Sequence, residues 1–94
     1  LVPVDTWSMV AITISSTQAV AYLCNSNGIS SATNVVSHGA PSGLNFFIAN
    51  DPVYADITIR AYTGKIATSM VYSSTLTSDN ISAIFNSQKA AFGL

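Results

Sequence analysis

The four residues Asn25-Ser26-Asn27-Gly28 constrain this chain more than any other feature. Asn-Gly suits the positive φ values of a type I′ hairpin turn, and an apolar run of strand length, residues 19–24, leads into it. Before that run lies Ser15-Ser16-Thr17-Gln18, a polar connection of hairpin length. Parallel neighbours need a crossover of roughly a dozen residues or more. Connections this short therefore commit the strands to antiparallel pairing. The expectation is two successive hairpins: a strand over residues 7–14, a second over 19–24, and a short, weaker edge strand within 29–36.

In the first strand Trp7, Met9, Ala11 and Thr13 fall on one face, and Ser8, Val10, Ile12 and Ile14 on the other. The second face is the more apolar after its first residue, and neither is truly polar. A strand apolar on most of both faces belongs inside a sandwich or at a subunit contact.

Residues 38–43 read as loop, punctuated by two glycines and a proline. Residues 44–49 resume a strand that Asn50-Asp51-Pro52 ends, because proline lacks the donor a ladder needs. Residues 54–62 alternate, with Ile57, Ile59 and Ala61 against Asp56, Thr58, Arg60 and Tyr62, as a half-buried strand or ordered extended loop would. Residues 64–72 read as one long strand, followed by a Ser73-Ser74-Thr75 corner. A short amphipathic helix is expected from about Ser78 to Gln88. Thr77 is its N-cap, Asp79 favours the positive helix end, and Ile81, Ile84, Phe85 and Gln88 share one face. Residues 90–94 are expected to fold back as a terminal clasp.

Only 7% of the residues are charged, against roughly 25% in an average soluble domain. Fourteen Ser and nine Thr carry the polarity instead. The sole cations, Arg60, Lys65 and Lys89, are too few and too scattered for a nucleic-acid surface or an electrostatic membrane patch. No apolar run reaches the length of a spanning helix. Cys24 is the one cysteine, so the chain holds no internal disulfide, and a small buried apolar residue is its simplest role.

Residues 62–81 carry a further pattern: an aromatic at Tyr62, then Gly64-Lys65-Ile66, a hydrophobic stretch ending at Tyr72, Leu76-Thr77, and a short helix with Ile81 near its start. This pattern resembles the closing segment of laminin-G-like domains of the concanavalin A-like lectin/glucanase superfamily. Trp7 with Val10-Ala11-Ile12-Thr13, and Ala21-Tyr22-Leu23 with Asn27-Gly28, look like earlier strands of the same family. Residues 44–49 sit where the family has a Leu-x-Ile-Gly strand, with Ala49 in place of the glycine. Residues 85–94 resemble the ending of such domains in bacteriophage structural proteins. The resemblance covers nearly the whole chain but only the later half of a typical family domain. With Leu1-Val2-Pro3 at its start, the chain is expected to be the C-terminal part of a longer polypeptide, as a single domain over residues 1–94.

Catalysis finds little support. Retaining glycosidases, known within that superfamily, use two carboxyl groups about 5 Å apart, whereas this chain has no Glu and only Asp5, Asp51, Asp56 and Asp79. His38 beside Gly39 is expected to be an exposed loop residue. With one His and one Cys there is no zinc ligand set. Calcium is the one cofactor the residues could hold, through the hard oxygens of Asn50, Asp51 and Asp56, although Asn-Asp-Pro also serves simply to end a strand. Tyr54, Arg60 and Tyr62 could stack on or hydrogen-bond a sugar; packing against a neighbouring sheet is the simpler role for such aromatics. Asn80-Ile81-Ser82 matches a glycosylation acceptor but falls in the first helical turn, as a chance match would.

The expected fold is all-β, an antiparallel jelly-roll β-sandwich present in part, with one short C-terminal helix. The expected function is non-enzymatic: a virion structural or adhesion module of a bacteriophage (head decoration, tail fibre or spike), contacting other virion subunits or further copies of itself. A trimer and surface glycans are expectations from the resemblance. The alternative is a carbohydrate-binding module of a secreted or cell-surface bacterial protein, located outside the cell.

Overall fold

The computed structural model describes residues 2–39, 48 and 62–94. The chain divides into two compact units, Leu1–Gly39 with Tyr72–Leu94, and Ala40–Val71.

The first unit holds three antiparallel strands, β1 (Met9–Ile14), β2 (Ala19–Asn25) and β3 (Gly28–Asn34), in the order β1-β2-β3. Both expected hairpins are present, with β2 central and β3 an exposed outer strand. Ser15 builds the first connection. Its backbone N–H donates to the Gln18 carbonyl at 2.9 Å, and its hydroxyl accepts from the Thr17 and Gln18 N–H groups at 3.3 and 3.2 Å.

The second connection corrects the expected type I′ turn. That turn needs positive φ at Asn27 as well as at Gly28, but Asp5 is the only non-glycine among the described residues with positive φ. Asn25 pairs with Gly28 across a Ser26-Asn27 loop, and Gly28 alone takes the positive value, φ 107°. The Asn25 side chain supplies the reason. Its Oδ1 accepts the Asn27 N–H at 2.9 Å, an Asx turn that centres the reversal one residue early.

Register fixes the faces. Met9 opposes Cys24, Ala11 opposes Tyr22 and Thr13 opposes Val20, and these residues form the inner face. Val10, Ile12 and Ile14, opposite Leu23, Ala21 and Ala19, form the outer face. Val20, Tyr22 and Cys24 join Ile81 and Phe85 of the helix in one core, with Met9, Ala11, Leu76 and Leu94 packed around it.

The helix α1 spans Ser78–Gln88, as its pattern predicts. Thr77 caps it: the Thr77 hydroxyl accepts the Asn80 N–H at 3.2 Å, and Asn80 Oδ1 accepts the Thr77 N–H at 3.0 Å. This reciprocal box uses Asn where Glu or Gln is usual. A 3₁₀ turn, Lys89–Phe92, continues the chain. Gly93 then reverses it in a left-handed conformation, with the Leu94 N–H donating to the Lys89 carbonyl at 3.0 Å. The reversal brings Leu94 onto the core and accompanies a Phe92 ring 5.1 Å from Trp7, so the expected terminal clasp is formed.

Residues 64–72 contradict the expectation of a long strand. They are exposed and belong to no ladder among the described residues. Alternation assigns side chains to faces but supplies no neighbour, and a strand exists only through the neighbour it pairs with. The expected strands at 44–49 and 54–62 lie outside the described residues, apart from Ile48 and Tyr62. The structure thus contains an antiparallel sheet and a short C-terminal helix.

Candidate functional site

A cleft of about 250 Å³ opens within the first unit, where the β1–β2 hairpin meets the segment entering α1. Thr13, Ser15, Gln18, Val20 and Tyr22 line it from the hairpin; Thr75, Leu76, Thr77 and Ser78 line it from the other side. Val20 and Leu76 supply its aliphatic surface, Tyr22 its ring, and no lining residue is charged.

The hydroxyls around the cleft divide by use. Thr75 Oγ1 donates to the Ile14 carbonyl at 2.6 Å, tying the helix entry to the end of β1. Ser15 and Thr77 are committed to the hairpin turn and the helix cap. The side chains of Thr13, Gln18, Tyr22 and Ser78 make no hydrogen bond among the described residues. Thr13 is 7% exposed and Tyr22 is 9% exposed, so two mostly buried hydroxyl-bearing side chains line the cleft. Pattern reading missed both. The signal for Thr13 was its place on the Met9-Ala11 face, a hydroxyl among residues that turn toward the core.

The residues singled out in the sequence lie elsewhere. Tyr62 is exposed in the second unit, and its ring lies over Gly64, where an added Cβ would stand 2.7 Å from the ring. That contact gives the aromatic-x-Gly pattern a local physical reason. Tyr54, Arg60, Asn50, Asp51 and Asp56 lie outside the described residues. No group of three or more His, Cys, Asp or Glu that could hold a metal occurs among the described residues. His38, expected to be exposed, is half-buried: its backbone N–H donates to the Ser16 carbonyl at 3.1 Å and its Nε2 is enclosed without a partner among the described residues. Packing at the end of the first hairpin has drawn this loop residue inward.

Asp79 occupies the first turn of α1, as expected. Asn80 spends its side chain in the capping box and precedes buried Ile81, which agrees with a chance glycosylation match. Cys24 is fully buried, and that burial pushes its thiol up from the ordinary value. No helix among the described residues is long and apolar enough to cross a membrane. No family model, curated protein or solved structure matches the chain.

Proposed function

We propose that the chain is a non-enzymatic assembly and adhesion module of a virion, part of a bacteriophage head decoration, tail fibre or spike. The observation that carries the reading is the outer face of the sheet. Val10, Ile12 and Ile14 are 62%, 71% and 56% exposed, and none of the residues in the three strands is charged. Single exposed apolar side chains are ordinary, whereas a contiguous row of β-branched ones is characteristic of an interaction surface.

The occupant proposed for this face is a further copy of the chain. A surface without charge meets its own copy without like-charge repulsion, and a two-fold or ring arrangement needs only such self-complementarity. Fully burying one such side chain contributes about 1.5–3 kcal/mol, before the cost of association is subtracted. A single small face is therefore weak alone and effective when repeated around a symmetric particle. The narrower assignment to a virion rests on the resemblance of residues 85–94 to the closing residues of such domains in bacteriophage structural proteins.

Mass spectrometry of purified virions from the source tests that assignment. The polypeptide is expected at a stoichiometric level. Its absence from the particles would contradict the virion reading.

A further inference from the structure

We propose that Asn27 is a deamidation site of the folded chain. Its side-chain amide is converted, through a cyclic imide formed with Gly28, to a mixture of aspartate and isoaspartate. This inference goes beyond the assembly reading and stands without it.

The reaction needs a side-chain amide, a following backbone nitrogen that can reach it, and water. The Gly28 nitrogen gives up its proton to solvent and attacks Asn27 Cγ. The new N–Cγ bond closes the ring, the Cγ–Nδ2 bond breaks, and ammonia leaves with a proton from solvent. Water then opens the imide at one of its two carbonyls. Breaking the new bond leaves aspartate on an unchanged backbone. Breaking the original peptide bond leaves isoaspartate, with the backbone routed through Cγ. In sum an amide and a water become an acid and an ammonia, and nothing is oxidised or reduced.

The hairpin supplies the geometry. Asn-Gly occurs once in the chain. Gly28 has no Cβ to hinder its own nitrogen, and nothing stands within 4 Å of where one would be. Both residues are exposed. The Asn27 side chain makes no hydrogen bond among the described residues; only its backbone N–H is engaged, by Asn25 Oδ1. Gly28 lies opposite Asn25 at the last rung of the β2–β3 ladder. The outer strand of that ladder is exposed throughout, and a rung at such an end opens at little cost, releasing the Gly28 nitrogen.

The other asparagines among the described residues lack these conditions. Asn25 is 7% exposed and its Oδ1 is held in the Asx turn. Asn80 is committed to the capping box, and Asn86 lies within α1. Asn34 precedes Val35, whose branched side chain crowds the nitrogen that would attack. Conversion at position 27 puts a carboxylate at the tip of a hairpin whose strands carry no charge. Isoaspartate also lengthens the backbone inside the tight Ser26-Asn27 loop, which loosens the hold on β3.

The full chain, incubated near neutral pH at physiological temperature, is digested and each asparagine is read by tandem mass spectrometry. Isoaspartate is assayed with an isoaspartyl methyltransferase, and a parallel sample is held in urea. Asn27 is expected to convert first in the native chain, with isoaspartate among the products, while Asn25, Asn34, Asn80 and Asn86 keep their amides. Gly28→Ala, which places a Cβ beside the attacking nitrogen, is expected to slow the conversion severalfold. Alanine is strained at φ 107°, so Asn27→Gln is the second variant. Its longer side chain must close a larger ring, and conversion at position 27 is expected to fall to the level of the other amides. Three results would overturn the inference: Asn27 keeping its amide in the native chain while converting in urea, another of these asparagines converting as fast, or a folded variant converting at the native rate.

Discussion

Cys24 and Thr77 show how single residues set local behaviour. Cys24 is fully buried, so its thiol is held in the neutral form and pushed above its ordinary value. The sign of the linkage follows. Below the ordinary thiol range both folded and unfolded chains keep the proton, and no stability is lost. As pH rises through that range the unfolded chain releases its proton first, and stability falls toward the raised native value. Denaturant titrations across alkaline pH are expected to show this decline, and Cys24→Ala to flatten it. A thiol reagent should label the native chain far more slowly than the unfolded one. Thr77→Ala removes the acceptor for the Asn80 N–H and half of the box, and is expected to cost about 1 kcal/mol in urea unfolding. The cap was legible because a hydroxyl before an apolar period has one local use. The turn at Gly28 was legible as a reversal but not in type, because the Asn25 side chain, and not the Asn-Gly pair, decides where the reversal is centred.

At the scale of elements, the helix and the stretch before it behave oppositely. Ile81 and Phe85 complete the core, so Phe85→Ala is expected to destabilise the chain by about 3–5 kcal/mol. Ile66 and Val71 are exposed in residues 64–72, where no ladder forms among the described residues, and threonine at either position should change stability by less than about 0.5 kcal/mol. Had these residues formed the expected strand, the same changes would cost several times more. Parallel chemical unfolding of the three variants checks both values. The contrast explains what the sequence could show. Helix periodicity and face are specified within the eleven consecutive residues of the helix, and its cap by Thr77 just before them, whereas a strand depends on a distant neighbour that its own residues do not name. The hairpins escaped this problem because their partners lie a turn away.

At the scale of the molecule, the informative finding is which face of β1 is buried. The more apolar row, Val10-Ile12-Ile14, is the exposed one, and the row containing Thr13 faces the core. Hydrophobicity alone would have chosen the opposite face. The choice is set by β2, whose core residues Val20, Tyr22 and Cys24 share a face with Thr13, Ala11 and Met9 through the hairpin register. The same register leaves an uncharged apolar row facing outward and places Thr13 and Tyr22 along the cleft. The candidate site was thus illegible in the sequence: its residues come from a strand pair and a helix entry some sixty positions apart, joined by the Thr75 bond to Ile14. Sedimentation velocity of the full chain over a range of concentrations, beside Ile12→Lys, tests the central claim that the outward row is an assembly surface. The native chain is expected to associate as concentration rises, and Ile12→Lys to remain monomeric with its helix signal intact. A native chain that stays monomeric throughout, or a folded Ile12→Lys that associates equally well, would contradict it.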